Sequence, residues 1–177
     1  MEFISTSLSD VVIVRGKRFS DDRGFFSEMY KEKLFLENGI KSFVQDNMSE
    51  SSKGVIRGLH WQEEPFGQGK LVTCIAGRIL DVAVDVRPES KTYGMHVAVE
   101  LDADEPVSLW VPSGFAHGFQ ALTDKTRVFY KVTNYWHKES ERSINPLDEE
   151  LKIAWPITGH LLSEKDSEAP RFRDLQV

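Results

Sequence analysis

The stretch RILDVAVDVR, residues 78–87, alternates side chains with a period of two. Leu80, Val82, Val84 and Val86 share one face, while Asp81, Asp85 and Arg87 punctuate the other. This is the pattern of a β-strand, and similar short β-rich runs recur along the chain at 11–19, 43–49, 54–62, 70–75, 94–101, 108–111, 118–122 and 127–135. Pro88, Pro106 and Pro112 fall between runs, where they remove no ladder donor. The early part of the chain predicts one helix, over 31–38, closed by Gly39; segments 5–10 and 148–151 read as short turns. Many short strands with few helices predict an all-β sandwich or barrel.

The 177 residues suit a single domain spanning 1–177, with no internal repeat, low-complexity segment or linker. Hydrophobic residues make up 40% and charged residues 28%, an ordinary globular balance. Acidic residues outnumber basic ones 28 to 22, so no overall positive field recruits nucleic acid, and an anionic substrate needs a locally basic cleft. No run approaches the ~20 apolar residues of a membrane span, and the N-terminus lacks a basic leader region. The lone cysteine, Cys74, cannot form an internal disulfide, which suits a reducing compartment. These features predict a cytoplasmic protein with no membrane partner.

Five histidines, at 60, 96, 117, 137 and 160, are the obvious chemical candidates. None stands in a His-x-His, His-Glu-x-x-His or Cys-x-x-Cys pattern, so no metal site is expected. Nucleophile elbows, phosphate loops and dinucleotide fingerprints are also missing, and Cys74 within LVTCIAG reads as a small buried hydrophobe. Acid–base chemistry remains. His60, with an ordinary pKa of about 6.5, can take a proton at neutral pH. Arg57 and Lys70 flank it, and strand alternation puts Tyr130 and Trp136 on one face, offering a proton donor beside a stacking surface. Taken singly, each aromatic is better read as core packing, and His60 as a structural histidine.

Seven segments in order change that balance: DDRGFFSE (21–28), VQDN (44–47), GVIRGLHWQ (54–62), QGKLVTCIAGRILDVAVDVR (68–87), LWVPSGFAHGF (109–119), YKVTNYW (130–136) and LSEKD (162–166). Together they strongly resemble the dTDP-4-dehydrorhamnose 3,5-epimerase family of deoxysugar biosynthesis, over residues 11–173. The resemblance implies a cupin-type jelly roll with a few short peripheral helices, a homodimer, a nucleotide-sugar substrate, and no metal or other cofactor. It implies His60 as base, Asp166 as the carboxylate orienting it, Lys70 beside the ketone oxygen and Tyr130 as acid. Arg23 and Arg57 would bind the diphosphate, and Glu28, Gln45, Asn47, His117, Glu141 and Lys165 would also contact substrate. Trp136 would stack on the nucleotide base, where family members carry tyrosine; INPLDEEL (144–151) departs from the family's Trp-Asn-Asp.

The implied reaction inverts carbons 3 and 5 of a 4-keto-6-deoxyhexose, dTDP-4-dehydro-6-deoxy-D-glucose, to give dTDP-4-dehydro-L-rhamnose. Inversion at only one of those carbons uses the same base and acid, and the sequence does not separate the two. A metal-dependent cupin enzyme needs a ligand cluster, and a non-catalytic sugar-binding jelly roll gives no reason for His60, Asp166, Lys70 and Tyr130 to occur together. One point conflicts with simple strand geometry. Arg57 and His60 are three residues apart, so strict alternation puts them on opposite faces. A bulge at Gly58 would bring them to one side.

Overall fold

The computed structural model describes residues 1–175. In chain order the elements are β1 (Glu2–Ser5), β2 (Val12–Arg15), β3 (Arg18–Asp21), β4 (Gly24–Ser27), α1 (Glu32–Glu37), β5 (Gln45–Ser51), β6 (Ile56–Gln62), β7 (Lys70–Ala76) and β8 (Arg78–Asp85). They continue with β9 (His96–Asp102), β10 (Val107–Val111), β11 (Phe115–Ala121), β12 (Thr126–Val132), β13 (Glu141–Ser143) and α2 (Glu164–Ser167). Two antiparallel sheets, in the orders β1-β2-β10-β7-β12-β5 and β13-β6-β11-β8-β9, face each other as a cupin-type jelly roll. A separate hairpin, β3-β4, stands outside both sheets.

Three apolar layers hold the sandwich. Between the sheets lie Val72, Cys74, Ile79, Ala83, Leu109, Phe115, Phe119 and Val128. Helix α1 lies on the outer side of the six-stranded sheet, where Phe35 and Ile40 join Trp110 and Leu71. The outer side of the five-stranded sheet buries Leu59, Val82, Val84 and Ala116 beneath the C-terminal third, including Ile144, Leu151 and Trp155.

This third layer alters the reading of residues 78–87. The face with Val82, Val84 and Val86 is buried as alternation predicts. The opposite face is buried too, because Ile79 and Ala83 point between the sheets with Asp81 and Asp85. Asp85 is fully buried. Burial would raise its carboxyl, but hydrogen bonds from Arg87, Ser90 and Thr92 hold it well below the usual carboxylate range.

Other boundaries shift for local reasons. The run 11–19 is two strands in different sheets, broken at Gly16, where a Cβ would meet Ser27 Oγ at 2.6 Å and Glu28 O at 2.9 Å. The run 127–135 ends at Val132, so Trp136 is not part of the strand that carries Tyr130. Alternation along one strand therefore does not relate these two side chains. The helix appears where expected and closes at Gly39, whose φ of 76° is readily adopted by glycine.

Candidate active site

Between the sheets, at one end, lies a cavity of about 590 Å³, within the size range of small-molecule sites. Period-two geometry builds one wall. Gln45, Asn47 and Ser49 of β5 project inward together, with Tyr130 of β12 paired to Asn47 and Lys70 of β7 paired to Val132. The opposite wall belongs to the five-stranded sheet, with Arg57 and His60 from β6 and His117 and Phe119 from β11. Glu141 of β13, Trp136, and residues 161–163 and 165–166 line the rest.

The conflict between Arg57 and His60 is resolved by a bulge. His117 pairs with His60, but Phe119 pairs with Arg57, so three steps along β6 match two along β11. The extra residue turns Arg57 and His60 to the same side. Gly58 takes φ 115°, and a Cβ there would lie 2.6 Å from Gly118 Cα and His117 O. A Cβ on Gly118 would in turn lie 2.6 Å from Arg57 O. Two glycines facing each other across the strands permit the close approach.

His60 Nε2 lies 2.6 Å from Asp166 Oδ1, leaving its other ring nitrogen without a protein partner among the described residues. Asp166 is only 4% exposed and sits on α2, a single turn whose N-cap, Ser163 Oγ, accepts from the Asp166 N–H. Burial would raise the Asp166 carboxyl, but the hydrogen bond and charge of His60, aided by Ser163, hold it below its ordinary value. Lys70 is buried and donates to His60 O at 2.9 Å. Burial lowers its pKa to about 8, against the opposing pull of Asp81 and Glu141. Burial raises the Tyr130 phenol, partly offset by the Arg57 charge.

The remaining expected residues divide into two groups. Arg57 reaches Ser51 Oγ and Glu50 O, Gln45 donates to Asn47, and Lys165 pairs with Glu141 at 2.6 Å. Trp136 is 56% exposed at the cavity margin. Arg23 and Glu28 lie elsewhere. Arg23 sits at the tip of the β3-β4 hairpin, paired with Asp21, and Glu28 follows the hairpin. Neither lines the cavity of its own chain.

Sequence reasoning missed two polar groups. Asp81, read only as a residue of the strand's polar face, is fully buried, with Oδ1 2.7 Å from His117 Nε2 and Oδ2 without a partner among the described residues. Ser49 Oγ in the cavity wall is also buried, with no partner among the described residues, and the period-two spacing from Gln45 and Asn47 could have signalled it. Among the described residues, no three His, Cys, Asp or Glu side chains converge as a metal-binding group, and no helix is long and apolar enough to cross a membrane.

A histidine of one sheet, paired with a carboxylate from α2, shares this jelly-roll cavity with a phenol and a buried lysine of the other sheet, a set of groups able to take up and release protons. Residues 5–174 match the family model described as dTDP-4-dehydrorhamnose 3,5-epimerase. A protein of that name from Shigella flexneri is 48% identical over 176 residues, covering 98% of this chain and 97% of its own. The crystal structure of dTDP-4-dehydrorhamnose 3,5-epimerase from Elizabethkingia anophelis superposes with a TM-score of 0.94 at 46% identity, covering 98% of this chain and 97% of that one. A dTDP-6-deoxy-D-glucose-3,5-epimerase from Legionella pneumophila, solved with dTDP-4-keto-L-rhamnose, gives a TM-score of 0.94 at 44% identity over 98% of this chain and 94% of that one. The chain belongs to the dTDP-4-dehydrorhamnose 3,5-epimerase family, a family of isomerases.

Proposed function

We propose that this chain, acting as one catalytic domain, inverts carbons 3 and 5 of dTDP-4-dehydro-6-deoxy-D-glucose to give dTDP-4-dehydro-L-rhamnose, without a cofactor. The observation that carries the mechanism is the placement of His60 and Tyr130 on opposite sheets across one cavity. Each carbon neighbours the ketone, so its C–H is acidic. The His60 ring nitrogen turned away from Asp166 takes that proton, and the electron pair moves into an enolate whose oxygen faces the Lys70 ammonium. Tyr130 gives its proton to the opposite face of the carbon. Solvent then removes the proton from His60 and restores the one on Tyr130, ready for the second carbon. Asp166 holds the imidazole in place and favours its charged form. A phenol is a weak acid in water, with a pKa of about 10, but the carbanion it protonates is far more basic.

Arg57 suits a diphosphate oxygen by geometry and charge, Trp136 offers a stacking face to the base, and Gln45, Asn47, His117, Glu141 and Lys165 contact the substrate. Arg23 and Glu28 fit this reading in a homodimer. Their hairpin exposes Phe19, Phe25 and Phe26 at 50%, 51% and 64%, an apolar surface that a second copy would cover. The hairpin of one protomer would then bring Arg23 and Glu28 to the cavity of its partner. We place the enzyme in the cytoplasm, where the buried Cys74 thiol stays reduced. NMR of the product formed from dTDP-4-dehydro-6-deoxy-D-glucose in D2O tests the reaction. Inversion with deuterium at both carbons is expected; inversion at one carbon alone would replace the reading with a single epimerisation.

A further inference from the structure

Gln120 sits on β11 three residues after His117, on the outer side of the sheet, and is fully buried. Both ends of its amide grip the backbone of one residue, Ile157. Nε2 donates to Ile157 O at 2.9 Å, and Oε1 accepts from the Ile157 N–H at 3.0 Å. Nε2 also lies 3.2 Å from His160 Nδ1. The side chain thus acts as a strand partner for a loop that has no strand beside it. Among the described residues, every hydrogen bond from 156–160 to the body of the fold ends on Gln120. Apolar burial adds little to those bonds, since Pro156, Thr158 and Gly159 are exposed and Ile157 is only half-buried.

The clamp stands directly before the catalytic tail. Leu161 exchanges backbone hydrogen bonds with Gly54 and Ile56, Ser163 caps α2, and Asp166 then meets His60 at 2.6 Å. A one-turn helix has little stability of its own, so the position of Asp166 depends on what holds the chain on either side. Downstream, Asn145 holds Ser167 and Pro170. Upstream, the chain is held first by the Leu161 pairing and, before that, by Gln120.

We infer that Gln120 is a positioning residue: by clamping the Ile157 peptide it sets the tail so that Asp166 meets His60. The inference rests on the proposed roles of His60 and Asp166. Gln120→Leu keeps the bulk of the side chain but removes both bonds. Ile157→Pro deletes the N–H donor from the loop side without touching β11, and so serves if the core variant misfolds. In either variant, amide hydrogen exchange across 161–167 is expected to rise at least 10-fold. Its kcat for solvent-deuterium incorporation should fall at least 10-fold. Combined with Asp166→Asn, the clamp variant should lose no more than Asp166→Asn alone, because both remove the same contact. Losses that multiply in the double variant would make Gln120 a general stabiliser and overturn the inference. So would a clamp variant with wild-type kcat and unchanged protection of the tail. Full activity in Asp166→Asn would instead sink the proposed role of Asp166, and amide exchange would still decide whether Gln120 holds the tail.

Discussion

At Lys70, burial and function pull in opposite directions. A buried ammonium is costly, and burial brings its pKa down to about 8, while Asp81 and Glu141 favour the charged form. His60, His117, Arg57, Tyr130, Lys165 and Asp166 line the same cavity. If Lys70 stabilises the enolate, only its protonated form works. Lysine is charged below its pKa, so kcat/KM should fall as pH rises through about 8. Tyr130 is not the source of that limb, because burial raises the phenol above its ordinary value and keeps it protonated. In Lys70→Arg the guanidinium stays charged, so whatever activity remains should persist above pH 8. A limb unchanged by that substitution, in a full pH–rate profile, would remove Lys70 from the enolate role. His60, Lys70 and Tyr130 were legible by residue type and by resemblance, since strands and cavities collect such groups. Asp81 was not, because a lone aspartate in an alternating strand looks solvated when what covers it is the facing sheet, built from distant sequence.

At the scale of elements, the β6 bulge places the site. The odd spacing of Arg57 and His60 made a local irregularity predictable, and Gly58 marked where it would fall. The need for Gly118 opposite was not visible, because a cross-strand approach depends on register. Gly58→Ala forces a side chain into a left-handed conformation and onto the neighbouring backbone. It should cost ~2 kcal/mol or more of stability, measured by denaturant unfolding, and weaken substrate binding by turning Arg57 away. A variant as stable and as active as wild type would show that the bulge is not needed. The strands themselves were largely legible, since period-two runs with prolines between them follow from local chemistry. Their ends were less so. The chain leaves β12 at Val132, and Trp136 reaches the cavity from a loop that alternation cannot describe.

For the whole molecule, the two sheets matter more than any one strand. They put His60 and Tyr130 on opposite walls, a relation between β6 and β12 that spacing along the chain cannot express. The hairpin β3-β4 is the part left without a role in one chain. If it docks on a second copy, Phe25→Ser with Phe26→Ser should convert a dimer to a monomer in sedimentation velocity and reduce activity at least 10-fold. A wild-type dimer with full activity would leave the exposed phenylalanines unexplained.

The central claim is that His60 removes the proton and Tyr130 returns one from the other side. Its most direct test is deuterium incorporation from D2O into dTDP-4-dehydro-6-deoxy-D-glucose, followed by NMR beside product formation. His60→Asn should abolish exchange at both carbons. Tyr130→Phe should continue to exchange while inversion slows by about 100-fold, the scale of a lost general acid. Wild-type exchange in His60→Asn, or inversion undiminished in Tyr130→Phe, would contradict the account.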